Sequence, residues 1–270
     1  VGNRVYVTNT PSSTVDIVDA EEGAIAGSIP VGLEPIALAL KPDKSELWVS
    51  NHVSDSVNVI DLNPSSPTFH QVVGLIDASS YQEADRYFDE PAGIAFASNA
   101  KAYVALSQEN QIAVIDTARL EITKTIAVPA QDPRAIAVFE DKLFVLPFES
   151  NNQTQLSGCL PSKIDGASCT FDAIEHVFTN NNVLSLNYVA DIIKNPELPD
   201  RDLLVYDTSS EQLIETVEGL GTLLYGITVT ERGQIVIAQT DARNDATGLA
   251  GSAGHSLAEL GNRPFLNQLS

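Results

Sequence analysis

Apolar and polar residues alternate with a period of two along most of the chain, and β-branched and aromatic residues fill the apolar places. That pattern predicts strands rather than helices. Val5–Asn9 and Val15–Asp19 read as two strands joined by the turn Thr10-Pro-Ser-Ser. Ala24–Pro30 reads as a third strand, after Ala20-Glu-Glu-Gly, and Ile36–Leu40 as a fourth. The fourth is built of small residues, which suits a strand packed near a crowded axis.

The same sentence then recurs. Leu47-Trp48-Val49-Ser50-Asn51 precedes Val57–Asp61, and Ala102–Leu106 precedes Ile112–Asp116. Leu143-Phe144-Val145-Leu146-Pro147 is followed, after a long detour, by Leu203–Asp207. The steps from Tyr6 to Asp19, Trp48 to Asp61 and Tyr103 to Asp116 are equal in length. Pro35-Ile-Ala-Leu-Ala matches Pro91-Ala-Gly-Ile-Ala, Pro133-Arg-Ala-Ile-Ala and Leu224-Tyr-Gly-Ile-Thr. Four short antiparallel strands per repeat of about 40–45 residues is the signature of a propeller blade. The predicted fold is therefore an all-β propeller of four-stranded antiparallel blades with a partly helical loop insertion. Residues 1–240 carry the blades, with insertions at about 77–90 and 149–200. Residues 241–270 read as an irregular tail or a linker towards a further domain.

These strands resemble the YVTN family of β-propeller repeats, whose members include surface-layer and secreted proteins and parts of redox enzymes. The resemblance rests on Tyr6-Val-Thr-Asn9, Val15-Asp-Ile-Val-Asp19 and Pro35-Ile-Ala-Leu-Ala39. It implies a ring that usually closes with seven blades, and an extracytoplasmic setting, periplasmic, secreted or at the cell surface. The first blade here lacks its innermost strand, three full blades follow, and a fifth contributes Gly226–Thr230 and Gln234–Gln239. The chain then reads as part of a larger ring of four to five blades plus others. The alternative is a smaller closed ring in which Gly226–Thr230 completes the first blade. In the tail, Gln239–Asn244 and Asn262–Gln268 are similar to segments where YVTN propellers run on into cytochrome c domains. No C-x-x-C-H haem motif occurs in these residues, so a haem belongs only to a domain outside them.

Charge narrows the partners. Thirty-six acidic residues against 15 basic ones leave a net −21. Such a surface repels nucleic-acid phosphates and anionic membranes. No apolar run approaches the ~18 residues of a membrane helix. The partner expected is a protein, or missing blades of the ring. The Val1 start fits a processed or excised N-terminus as well as a cytoplasmic origin. Cys159 and Cys169 lie in a Gly/Ser/Pro-rich stretch at a spacing unlike that of a zinc site. They are read first as a loop-closing disulfide in an oxidising compartment, and otherwise as two unpaired thiols.

No nucleophile elbow, dinucleotide fingerprint or P-loop is present, and no catalytic residue stands out. Glu34, Glu90 and Asp132 precede innermost strands at equivalent repeat positions and should ring the channel mouth. There they form either a cation site or a set of solvated turn acids. His52, Arg134 and Tyr225 join them as candidate ligand-binding residues. Asp241, Asn244 and Asp245 form an oxygen-rich loop cluster, read as a Ca2+ site or a plain polar loop. No cofactor is required by the residues themselves. His52, His70, His176 and His255 are not at metal-ligand spacing. In the large insertion, Phe171–Phe178 and Val183–Ile193 have roughly helical apolar spacing, and Asn152 heads a glycosylation sequon. Both insertions and the tail are expected to leave from one face of the propeller. Three functional readings follow. The first is a non-catalytic extracytoplasmic scaffold or interaction module. The second is the propeller portion of a redox enzyme. The third is a lactonase-like hydrolase with a metal at Glu34, Glu90 and Asp132.

Overall fold

The computed structural model describes residues 2–83, 86–150, 200–242 and 265–270, and the backbone of short strands between 155 and 193. The chain divides into two compact units. The first comprises 1–148, 203–215 and 226–235; the second comprises 149–202, 216–225 and 236–270.

The first unit is built of blades. Blade 1 has three strands in the order β1 (Arg4–Asn9), β2 (Thr14–Asp19), β3 (Ala24–Pro30). Blade 2 orders β4 (Pro35–Leu40), β5 (Glu46–Asn51), β6 (Ser56–Asp61), β7 (Val72–Ile76) from the inside out. Blade 3 does the same with β8 (Pro91–Ser98), β9 (Lys101–Leu106), β10 (Gln111–Asp116) and β11 (Glu121–Ala127). In blade 4, β12 (Gln131–Phe139) pairs with β13 (Lys142–Glu149). After the insertion, with β14 (Gln155–Cys159), β15 (Ile164–Asp165), β16 (Ser168–Cys169) and β17 (Val189–Ile193), the chain returns as β18 (Leu203–Asp207) and β19 (Leu213–Val217). Here β18 pairs antiparallel with β13, Phe144 opposite Val205. Among the described residues blade 1 has no fourth strand and three four-stranded blades follow it, as the repeat implies.

The repeated residues have separable jobs. The aspartate that ends the third strand of a blade caps the next turn with its carboxylate. Asp116 Oδ1 accepts the N–H groups of Ala118 and Arg119 at 3.0 and 3.1 Å. Asp19 does so for Glu21 and Glu22, and Asp207 for Ser209 and Ser210. The aromatic of the preceding strand is buried between blades with its polar tip satisfied. Trp48 Nε1 donates to Glu46 Oε2 at 2.9 Å, and its rings meet Phe96 edge-on at 5.0 Å. Tyr103 donates to the Thr208 carbonyl at 3.2 Å.

These aromatics define one direction of packing. Trp48, Val57 and Val59 share a cluster with Ala102, Val104 and Ile115 of blade 3. Tyr103, Ala105 and Ile112 share the next with Leu143, Val145 and Leu204 of blade 4. Tyr6, Val15 and Ile17 share the first with Leu47, Val49 and Ile60 of blade 2. So Tyr6, Trp48 and Tyr103 pack towards the following blade, and the strand neighbours of Trp48, Tyr103 and Phe144 towards the preceding one. The small innermost strands are explained by Gly93. A Cβ there would sit 2.6 Å from the Arg134 carbonyl oxygen and 2.9 Å from the Ile136 nitrogen.

In the second unit, Glu149 of β13 pairs with Leu223, the first residue of β20 (Leu223–Val229). β21 (Ile235–Ala242) pairs with β22 (Phe265–Leu269), Ala238 opposite Leu269 through Ala242 opposite Phe265. The tail, expected to be irregular throughout, thus contains a strand at 265–269. The edge of β21 captures it, and Ile237 and Ser270 exchange both backbone hydrogen bonds at 2.8 and 3.0 Å. The two helices expected in the insertion fall mostly outside the described residues. Where the second overlaps them, Val189–Ile193 runs as β17, antiparallel to β14. The Cys159–Cys169 pairing also lies outside the described side chains. No described helix is long and apolar enough to cross a membrane.

Candidate functional site

The mouth loops of blades 2 to 4 are built by one repeated turn. Glu34, Glu90 and Asp132 each stand just before an innermost-strand proline with positive φ, 57°, 49° and 55°. The residue before proline ordinarily prefers extended backbone, and non-glycine residues rarely take the left-handed region. Three such residues at three equivalent places therefore mark a turn imposed by the blade and held by its neighbours. The holding bonds are visible. The carbonyl of Glu34 accepts the His52 N–H at 2.9 Å, and that of Glu90 accepts the Ser107 N–H at 3.2 Å. A second set comes from the preceding blade. Asp55 Oδ1 accepts the Glu90 N–H at 2.9 Å, and Asn110 Oδ1 accepts the Asp132 N–H at 2.8 Å.

Asp55 and Asn110, which hold these turns, were missed by the sequence reading. They are themselves left-handed, with φ of 47° and 51°, and each ends the turn between the second and third strands of its blade. Ser13 holds the same place in blade 1 with φ of 53°. The available signal was the residue type, since Asp and Asn tolerate this conformation best, at a fixed step before a β-strand.

Around Glu90 the chemistry is acidic. His52 Nε2 lies 3.7 Å from Glu90 Oε2, with the imidazole largely buried and its Nδ1 unpartnered. Ser107 Oγ donates to the Glu90 carbonyl at 3.0 Å and lies 3.3 Å from Glu90 Oε2. Burial first, then the Asp55 and Glu90 charges, push the neighbouring Asp89 carboxyl above its ordinary value. The insertion that carries Asp89 is pinned by Phe88, buried in the core between blades 2 and 3, and by Tyr81 packed at its margin. Burial raises the Tyr81 phenol to about 12. Asp77 starts that segment with a capping box to Ser80.

Blade 4 is different. Arg134 Nε donates to Asp132 Oδ1 at 2.8 Å, and its guanidinium carbon lies 4.4 Å from the centre of the Phe148 ring. The acid is neutralised and the cation is stacked on an aromatic face. Glu34, Glu90 and Asp132 thus occupy three equivalent turns. Among the described residues no group of three or more His, Cys, Asp and Glu side chains is arranged to hold a metal ion. Tyr225, half exposed on β20, belongs to the second unit, as does Asp241, which faces Leu266 across the β21–β22 ladder. Asn244 and Asp245 lie outside the described residues.

No protein-family model matches the chain, and no curated protein matches it. Solved structures do. A chain of the Kuenenia stuttgartiensis hydrazine synthase matches with a TM-score of 0.61 and 22% identity, over 99% of this chain and 59% of that one. The WD40 β-propeller domain of Doa1 matches with a TM-score of 0.54 and 6% identity, over 88% of this chain and 57% of that one. A chain of a mitotic checkpoint complex matches with a TM-score of 0.54 and 10% identity, over 88% and 54%. The fold is a β-propeller. The chain spans less than two thirds of the length of each of these neighbours, and at these identities the likeness concerns the fold alone.

Proposed function

We propose that these residues form a non-catalytic propeller module of YVTN type, working outside the cytoplasm as a scaffold and protein-interaction surface. The observation that carries this reading is the mouth turn, repeated with the same positive φ before proline in three blades, held by hydrogen bonds and varied in its side chains. Rigid backbone with variable loops is how a scaffold presents a binding surface. The acids Asp55, Asp89 and Glu90, on a chain of net charge −21, favour a partner segment carrying lysine or arginine. The extracytoplasmic setting is supported by the YVTN resemblance and by the Cys159/Cys169 pair. Thiol mapping without reductant tests it, two free thiols counting against it.

Calorimetric titration with a lysine-rich peptide tests the surface. Binding should weaken as salt rises, and weaken again in the Asp89→Asn/Glu90→Gln double variant. Binding that ignores both salt and the substitutions removes the reading. Turnover of a small substrate by these residues alone would remove the non-catalytic part.

A second reading is that the chain is the propeller portion of a redox enzyme whose haem is carried by residues outside this sequence. It is favoured by the match of an enzyme chain over 99% of these residues and by the cytochrome-fusion-like tail. The residues following Ser270 in the reading frame test it: a C-x-x-C-H motif there supports it, and its lack counts against it.

A further inference from the structure

Blade 3 ends outwards in β11, which pairs with β10 on one side only. Val128, just past its end, turns its N–H back to the Asn110 carbonyl at 2.8 Å. Successive residues of a strand face opposite ways, so Ala127 and Thr125 turn their backbone groups outwards. The register runs unshifted from Ala127 opposite Gln111 to Lys124 opposite Val114, which carries that alternation through Thr125. The chain already uses both ends of this edge. Tyr81 makes a parallel bridge to Ile122, and the Tyr206 hydroxyl donates to the Ala127 carbonyl at 3.3 Å. Between these two tyrosines, no backbone hydrogen bond from outside the blade reaches Thr125 among the described residues. Two recesses meet at Lys124 and Thr125. One, of about 230 Å³, runs back along β11 to Ile122 and Tyr81. The other, of about 460 Å³, runs on past Ile126, Val128 and Pro129 to Leu213 of β19.

We propose that this edge is a docking groove for one extended, uncharged peptide segment of a protein partner, added as a short strand beside β11. Outward backbone groups on a strand edge are a template for strand addition, and pockets along the edge select side chains. The main chain of the segment bonds the N–H and C=O of Thr125, in line with the Tyr81 segment that is already bridged to the same edge. Residues two apart in a strand share a face, so alternate side chains of the segment reach the recesses on either side of Thr125. Ile122, Ile126, Val128, Pro129 and Leu213 make those recesses aliphatic. Charge argues against an acidic or basic occupant, because each cation along the groove already has its carboxylate. Arg86 is paired with Glu83, and Lys124 with the buried Glu211, which also holds Lys101. The groove shares no residue with the mouth turns, so the two surfaces are tested separately.

A capped hexapeptide of alternating valine and threonine serves as the probe, with the full chain. The Thr125 amide should exchange fast in the free protein and slow at least about tenfold with millimolar peptide, while the β9 amides stay unchanged. Thr125→Pro removes an outward N–H and no bond to β10, so the melting temperature should hold while binding is lost. Leu213→Lys, at a site 40% exposed, should also keep the melting temperature and weaken the peptide at least about tenfold. If the proline unfolds the blade, the lysine variant still decides. No slowing at Thr125 overturns the proposal, and so does binding indifferent to the substitutions. A peptide with glutamate or lysine in the valine places that binds as tightly overturns it too. So does Thr125 protection that appears without peptide and grows with protein concentration, because the occupant is then a second copy of this chain.

Discussion

Blade 1 and blade 3 carry the same signature: Tyr6 flanked by valines before Val15–Asp19, and Tyr103 flanked by Ala102 and Val104 before Ile112–Asp116. In blade 3 every one of the flanking residues is buried; in blade 1 Val5 and Val7 stand half in water. Strand pairing is equally regular in both, Val7 opposite Asp16 and Val104 opposite Ala113. Local sequence therefore makes the blade, while a neighbouring blade makes its core. The free energy of burial belongs to the contact between blades and not to the strand that carries the valine.

Substitutions can break this comparison. The largest effect is expected at the aromatic of the enclosed blade. Tyr103→Ala should cost about 3–5 kcal/mol in denaturant unfolding, since it empties a filled core and frees its hydroxyl partner. The half-buried Tyr6, which hydrogen-bonds His70 Nε2 at 2.9 Å, should cost less on the same change, about 1–2 kcal/mol. Equal costs would mean that the two blades are packed alike. Next come the flanking valines. Val104→Ala should cost about 2 kcal/mol, whereas Val7→Ala should stay within about 0.5 kcal/mol.

The mouth turns give a smaller, sign-reversed effect. Glycine is at home with positive φ, so Glu90→Gly should be neutral or should stabilise by up to about 1 kcal/mol. Glu90→Val, β-branched at the same φ, should destabilise. Identical melting temperatures for the two would show that φ at Glu90 carries no strain.

The smallest effects are in pH dependence, and two aspartates should move oppositely. Hydrogen bonds from Ser28, Asn9 and Thr14 lower the Asp16 carboxyl below its ordinary 3.8. Its contribution is present above that value and disappears as pH falls through the lowered native value. Asp16→Asn should therefore destabilise at neutral pH and lose its effect in acid. The raised Asp89 behaves in reverse. Its penalty is absent below 3.8 and appears as pH rises through the ordinary value to the raised native one. Asp89→Asn should stabilise at neutral pH and be silent in acid. Melting curves between neutral and acid pH check both, and same-sign shifts would overturn the assignment of Asp16 to a satisfied site and Asp89 to a crowded one.

Much of this fold was legible from residues alone because strands and turns are local. The alternation around Tyr6, Trp48 and Tyr103, the turn-capping Asp19 and Asp116, and the small residues of Pro91–Ala95 each act over a few positions. Even the missing innermost strand of blade 1 could be read by comparing one repeat with the next. The mouth was half legible. Equivalent positions pointed to Glu34, Glu90 and Asp132, but the bonds from Asp55 and Asn110 join blades far apart in sequence. Arg134, two residues after Asp132, marks that turn off from the one at Glu90, but its stack on Phe148 and the crowding of Asp89 by Asp55 are set across the fold.

The order of residues alone determined that this chain makes four-stranded blades, where each begins, and which side chains have the character of a core. Only the tertiary structure decided which of those side chains are buried and which hydrogen bonds from neighbouring blades hold the mouth turns. The reason is physical: pairing within a blade is set by neighbours along the chain, whereas burial and electrostatics are set by whatever stands across the gap.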